Sequence, residues 1–569
     1  MPGYNWYPDL WGPSPTYAAS PARIRIEQRW LNIDGDAGTV ASRFTGDLAP
    51  FEFLKYDVTT LAYHLPGRSR AAIVGVGGGR DVLSAAVFGS RDITAVELNP
   101  TFVQLLTTEP GFADFTRLDR LAGLRLFVDE GRSWFARSTE EFDTIQMSLI
   151  DTWAATGAGA YSLSENGLYT VEAWKTFLGR LTDQGVYTVS RWFNASDPNE
   201  TGRMLSLAVA ALFEIGVPEP ERHIFMAASD GIATIVVARQ PFSATDLAAL
   251  HEATARYEYQ ELVVPGESPS YPTLNAIASA SSRASLEEVT SAGNFDLTPA
   301  TDDRPFFFNQ LPLTKPLGLL TFLQRREADD PNGVRSGNLD ATFTLVILFM
   351  VSLALVLATI VIPLRHATRD VGPGLVVAGT SYFLLIGVGF MLVEIGILQR
   401  MGVFLGHPVY SLSVSLFALI LTTGGGSLLS DAWPLDSRGR LTMWAAATGI
   451  YVLSLPVWLP PTLASFEGAS LPLRAAICVA VIAPAGVLMG FAFPTGMRLV
   501  LAQDSRPAPW FWGINGAAGV LASVAAVTIS IAFGISATLM TGAVCYLLLI
   551  PAACALLGPA SADRQRTSR

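Results

Sequence analysis

"AAIVGVGGGRDVLSAAVFGSRDITAVELNP" occupies residues 71–100 and decides how the first half of the chain is read. "AAIVGVG" is a short β-branched run, and "RDVLSAAVFG" after it has the spacing of a helix. Gly75, Gly77, Gly78 and Gly79 lie between the two, where a backbone without Cβ atoms can turn tightly and approach a ligand closely. Asp81 opens the helix beside them and is grouped with the glycines as a cofactor contact. "DITAVEL" is a second strand, ending in Glu97 about twenty residues beyond the glycines, where a carboxylate can accept both hydroxyls of a ribose. The plainer alternative is a tight turn and a surface glutamate that caps a strand.

The same alternation continues outward. "LRLFVDEG", "FDTIQMSLI" and "GVYTVSRW" are further strands, "PTFVQLLTTE" and "TVEAWKTFLGRL" are helices, and "GIATIVVAR" is a late strand. Strand–helix alternation predicts an α/β, Rossmann-like, doubly wound and mostly parallel sheet. The third strand ends in Asp129 and Glu130, placed to accept from an adenine amino group. Nothing marks a second nucleotide half or a pyrophosphate cradle, so a single nucleoside-type ligand suits the pattern better than a dinucleotide. Ahead of the alternation, "ARIRIEQRWLNID" has the period-two pattern of a strand and "DGDAGT" that of a turn. The expected domains are a small N-terminal β cap over residues 1–69, the Rossmann-like domain over 70–258, a Pro/Ser/Asp-rich linker over 259–340 that packs on the domain or on the bilayer surface, a transmembrane helical domain over 341–558 and a tail over 559–569.

The membrane portion is visible in composition. Half of the 569 residues are hydrophobic and only 15% are charged, while the mean hydropathy is +0.37. A span needs about 20 apolar residues to cross about 30 Å of hydrocarbon. Seven runs qualify: 342–364, 374–398, 409–429, 441–459, 473–493, 511–533 and 536–557. "TTGGGSLL" and "NGAAGVLASVAA" carry the small residues that let membrane helices pack closely. Glu394 lies inside an otherwise uncharged run and is a functional candidate by default, either paired with Arg400, Asn515 or Ser381 or serving a proton or transport role. The net charge of −11 argues against a nucleic-acid partner. Cys478, Cys545 and Cys554 all fall in apolar runs and the five histidines are scattered, so no metal site is expected. "MPGYNWYPDLWGPSP" has no basic stretch leading into an apolar run, so a secretory signal is not expected.

With these motifs in view, the chain resembles the polyamine aminopropyltransferases, the spermidine/spermine synthase family, in its membrane-anchored bacterial branch. "LNIDGDAGTVASRF" is similar to the family's N-terminal strand, "GGGRDVL" to its glycine motif, "AVELNP" to its ribose acid, "VDEGRSWF" to its adenine-side acid and "FDTIQMSLIDTW" to its active-site strand. "ATDDRPFFFN", "GFMLVEIGILQRMGVFLGHP" and "PWFWGINGAAGVLAS" resemble the membrane branch. Longer relatives of that branch often carry extra helices before the synthase-like domain, so the resemblance implies, as an expectation, a short form or an internal start. The resemblance implies a methyltransferase-like fold and decarboxylated S-adenosylmethionine, or S-adenosylmethionine itself, as co-substrate. It also implies a small amine such as a polyamine as acceptor, the bilayer as a partner, and allows a homodimer.

The departure from the family is at the active-site strand, which there runs into an Asp-Ser-Ser-Asp-Pro type loop. Here Ser148 takes the place of the first acid, which helps deprotonate the amine, and Asp151 that of the second, which helps hold it. Serine is no base near neutral pH without a partner. Tyr56, Asp57, Trp153 and Tyr161 are the expected walls and acids of the amine groove, with Glu165 a further acid. Two alternatives stay open: a methyltransferase acting on a lipid or small molecule, and a polyamine or nucleoside sensor or transporter without catalysis. Arg365, Arg369, Arg438, Arg440, Arg498 and Arg506 fall opposite the soluble domain, which by the positive-inside bias points that domain away from the cytoplasm. Adenosylmethionine derivatives are cytoplasmic, and on that ground the expectation is an integral membrane protein of the cell membrane with its soluble domain in the cytoplasm.

Overall fold

Strand β4 (Arg70–Val74) is the pivot of an eight-stranded sheet. Four of its five residues are buried, as expected of a parallel strand covered on both faces. It pairs in parallel with β5 (Asp92–Glu97) on one side and β7 (Phe142–Ser148) on the other, while β6 (Leu124–Val128) and β8 (Leu181–Trp192) extend the parallel array outward. Beyond β8 the direction reverses: β10 (Ile232–Ala238) lies antiparallel between β8 and β9 (Ile224–Ser229), and β11 (Gln260–Val263) closes that edge. The order β6-β5-β4-β7-β8-β10-β9-β11, with an antiparallel strand inserted next to the last parallel one, is the Rossmann-like methyltransferase topology. The strand order reverses between β4 and β7, and a crevice outside the carboxyl ends of such strands is where open α/β sheets bind ligands.

In the computed structural model the described residues are 4–33, 37–150, 167–196, 198–293, 295–312 and 334–557. They fall into two compact units, Met1–Asp340 and Ala341–Arg569. In the first, β1 (Tyr4–Trp6), β2 (Ile26–Ile33) and β3 (Ala37–Ser42) form the small antiparallel sheet. Two 3-10 helices, Ala49–Tyr56 and Val58–His64, join it to β4.

Local chemistry explains the helix starts. Asn99 accepts from the Thr101 amide at 2.9 Å, with Pro100 at the first helical position of Pro100–Thr107. Thr170 caps Val171–Leu178, and Ser243 with Asp246 forms a reciprocal capping box on Ala244–Tyr257.

The described part of the stretch read as a linker does more than pack on the domain: it supplies a strand and two helices to it. β11 pairs with β9, and the helices Pro272–Ala278 and Arg283–Ala292 bury Leu274, Ile277 and Leu286 in the same core as the helix Asn199–Glu214. Residues 295–312 are then held by Arg203, whose buried guanidinium donates to the carbonyls of Thr298, Phe306, Phe307 and Asn309. Arg132 makes a bidentate pair with Asp302 at 2.6 and 2.7 Å. Polar, proline-rich text looks like linker, but here its polar groups are spent inside the fold.

In the second unit, among the described residues, seven helices are long and apolar enough to cross a membrane: Thr344–Thr368, Pro373–Leu405, Val409–Ala432, Arg438–Ser465, Leu471–Leu501, Ala508–Phe533 and Ile535–Leu557. Pro456 and Pro484 sit inside helices without ending them. The small-residue stripes mark close helix contacts. A Cβ at Gly426 would strike the Val487 carbonyl, and one at Gly490 the Thr423 carbonyl, so those two helices meet backbone to backbone.

Candidate active site

The glycine turn can be built only from these residues. Gly75, Gly77 and Gly79 have φ of 77°, 51° and 87°, left-handed values that cost a side-chain-bearing residue energy. Gly78 is required for another reason: its absent Cβ would run into the carbonyl of Val40 on β3, while its amide donates to Thr39 Oγ1 at 3.2 Å. The β cap is thus pressed directly onto the turn. The space beside Gly75 is filled from β7's end, where Ile150 lies 2.8 Å from where a Cβ would be.

Glu97 faces this turn. Its Oε2 accepts from the amides of Val76 at 2.8 Å and Gly77 at 3.1 Å, and its Oε1 from the amide of Asn99 at 2.9 Å. The side chain is buried and joins the ends of β4 and β5. Three turn amides, those of Val76, Gly77 and Gly78, are therefore spent on protein oxygens, which leaves no amide cradle there for a phosphate. The carboxylate keeps further lone pairs for hydroxyl donors. This is a fit to a nucleoside sugar and a misfit to a pyrophosphate.

The acids after β6 are engaged locally. Glu130 caps the helix Gly131–Arg137, accepting from the amides of Arg132 at 2.9 Å and Ser133 at 2.7 Å. Asp129 accepts from the Glu130 amide at 2.8 Å and pairs with Arg137. Asp129 stays a quarter exposed, whereas both oxygens of Glu130 serve the helix terminus.

A second polar cluster joins β7, the start of the helix Arg80–Val87 and the 3-10 helix before β4. Ser148 closes β7. Gln146 Nε2 donates to Ser148 Oγ at 2.9 Å and to the Thr59 carbonyl at 3.2 Å, and the Tyr63 hydroxyl donates to Gln146 Oε1 at 2.7 Å. Burial raises the Asp81 carboxyl to about 6, with Arg80 and Ser148 pulling it down and Asp57 pushing it up. Gln146 and Tyr63 carry no sequence signal beyond lying on a strand and a helix.

Asp57 is placed differently from the amine groove expected for it. It is fully buried, accepts from the amides of Trp11 at 2.8 Å, Gly12 at 3.3 Å and Thr59 at 3.0 Å, and pairs with Arg80. That carboxylate ties the N-terminal segment to the sheet. Tyr56 packs its ring between Tyr17 and Tyr257, with centroids 5.9 and 5.0 Å away. Asp151, Trp153, Tyr161 and Glu165 lie outside the described residues.

In the second unit, Glu394 lies on the helix Pro373–Leu405 and, among the described residues, has no hydrogen-bond or ion-pair partner. The pairing expected with Arg400 is absent because six residues of helix turn the two side chains about 120° apart. Arg400 donates to Ser536 at 3.2 Å, and Asn515 donates to the Phe383 carbonyl at 3.2 Å. Among the described residues no three His, Cys, Asp or Glu side chains gather as metal ligands.

No family model matches the chain, and no curated protein does. Solved structures align with part of it. A spermidine synthase from Thermotoga maritima is 14% identical, with 43% of this chain and 75% of that chain covered and a TM-score of 0.27. A probable spermidine synthase from Corynebacterium glutamicum is 17% identical, covering 42% and 87% with a TM-score of 0.27. Human methyltransferase-like protein 13, in complex with SAH, is 15% identical, covering 36% and 87% with a TM-score of 0.23. No residue role is carried over from likeness at this level.

Proposed function

We propose that the first unit binds an adenosyl nucleoside of the S-adenosylmethionine type and transfers the alkyl group on its sulfonium to a small amine, with aminopropyl transfer from the decarboxylated donor as the leading case. The observation that carries this is the Glu97 carboxylate set against a glycine turn whose amides are already spent, at the point where the strand order reverses. Such a site offers acceptors to sugar hydroxyls and nothing to a phosphate chain. Attack of an amine nitrogen forms an N–C bond as the C–S bond breaks, and the electron pair leaves with sulfur as a neutral thioether. That chemistry needs alignment above all, which a rigid turn and strand ends supply.

Calorimetry of the full chain in detergent with 5′-methylthioadenosine and S-adenosylhomocysteine is expected to show saturable binding of at least one. Absence of binding by either compound would end this reading. Mass spectrometry of putrescine with intact or decarboxylated adenosylmethionine then separates methyl from aminopropyl transfer.

The soluble unit is placed on the cytoplasmic side, where such donors are made. A cysteine introduced at the exposed Ser281 is expected to resist a membrane-impermeant maleimide in intact cells and to react once the membrane is opened. Labelling in intact cells overturns that placement.

A further inference from the structure

The small N-terminal sheet has one covered face and one bare face. Antiparallel partners share a face, and side chains alternate along each strand. Arg29 and Thr39 lie on the covered side. The Arg29 guanidinium donates to the Gly111 carbonyl at 2.9 Å and lies over the Phe115 ring, and Thr39 Oγ1 accepts from the Gly78 amide at 3.2 Å. The register Tyr4↔Gln28 and Trp6↔Ile26 then puts Tyr4, Trp6 and Trp30 together on the opposite face. They are 57, 63 and 59% exposed. The rings are held in place: Tyr4 and Trp6 meet edge to face at 6.3 Å, and Trp30 lies over Gly38, where a Cβ would strike it. Large rings gathered in water on one face mark a surface that meets something else.

Two cations accompany these rings. Arg23 and Arg25 are exposed and lie over the ring of Tyr7, 4.6 and 5.2 Å from its centroid. Among the described residues neither has an ion-pair partner. The carboxylates within residues 4–33 are Asp9 and Glu27, and Glu27 is taken up by Arg43. A chain of net charge −11 thus carries a local basic and aromatic surface.

We infer that this face of the cap docks on the interfacial layer of a bilayer containing anionic phospholipid. Tyr4, Trp6 and Trp30 enter the headgroup region, and Arg23 and Arg25 donate to lipid phosphates. Three observations favour lipid over a protein partner. Tyrosine and tryptophan join an apolar body to a polar tip, which suits the boundary between water and hydrocarbon. An exposed arginine stacked on a tyrosine keeps N–H groups for phosphate oxygens. The chain also carries seven helices long and apolar enough to cross a membrane, so a bilayer is tethered to the cap at high effective concentration, as a soluble partner is not. The inference is independent of the transferase reading.

The test is side-chain oxidation by hydroxyl radicals, read residue by residue by mass spectrometry. It compares the full chain in nanodiscs of phosphatidylcholine and phosphatidylglycerol with the same chain held in an amphipathic polymer that offers no lipid surface. Trp6 and Trp30 are expected to oxidise about fivefold or more slowly in the discs, about fivefold being what one arginine contributes at an anionic surface. Arg23→Gln with Arg25→Gln should lower the docked-to-free ratio by two such factors, about 25-fold, and return both tryptophans close to their rate in polymer at an unchanged melting temperature. Equal oxidation in discs and polymer overturns the proposal: if both are fast the face stays bare, and if both are slow a second copy covers it. Protection in discs that the double variant retains overturns it too, since the arginines then hold no phosphate.

Discussion

Glu97→Ala is expected to weaken binding of 5′-methylthioadenosine or an equivalent adenosyl compound by at least about tenfold, which is about 1.4 kcal/mol or more. Two effects add. The sugar hydroxyls lose their acceptor, and the amides of Val76, Gly77 and Asn99 lose a charged partner. Hydrogen bonds to an ionised group contribute about 1.5–3 kcal/mol each, so the apo protein should also melt at lower temperature. Glu97→Gln separates the two parts. The amide nitrogen it introduces cannot accept, so one oxygen is left to serve the turn, whereas Glu97→Asp keeps the charge but shortens the reach. Calorimetry giving equal affinity for all three variants and the parent would remove Glu97 from the ligand site.

Arg203→Met carries the largest expected loss of stability, on the order of 3–5 kcal/mol, because a buried charge partner is removed and its acceptors stay buried. Arg203 is 1% exposed and donates to four backbone carbonyls spread over residues 298–309. Burial lowers its guanidinium to about 10, with Asp296 working against that, so the side chain is still charged at neutral pH. Without it, the carbonyls of Thr298, Phe306, Phe307 and Asn309 face a methionine that cannot donate. The expected result is release of residues 295–312, read as new protease cleavage there before any global unfolding. A variant as protease-resistant as the parent, with an unshifted melt, would show that the segment is held by its phenylalanines rather than by Arg203.

These two residues also show what was legible. Glu97 could be found from text because its neighbours in the site, the glycines, lie on the same βαβ unit, and the ladder β4–β5 sets their register. The seven spans were legible for a similar reason, since a run of apolar residues is a local property. Asp57 was legible as an acid but misread as to place, because the partners that consume it, Trp11 and Gly12, come from 46 and 45 residues upstream. Arg203 gave no signal at all: a lone arginine in "NETGRMLSLAVAALFE" reads as a solvated helix residue, and its acceptors lie 95 to 106 residues away. β9 and β11 were hidden as well. "IFMAAS" and "QELV" are too short to show a period, and they become strands only because β10 and then β9 offer an open edge.

By itself the amino-acid order determined the alternation, the turn, the acid that closes the second strand and the apolar spans, each of which depends on periodicity or on residues within one supersecondary unit. Tertiary structure alone decided that residues 260–293 and 295–312 of the apparent linker are part of the domain and that Asp57 is an internal tie. Those are pairings between groups 45 to 132 residues apart, and only the folded sheet brings such groups within hydrogen-bonding distance.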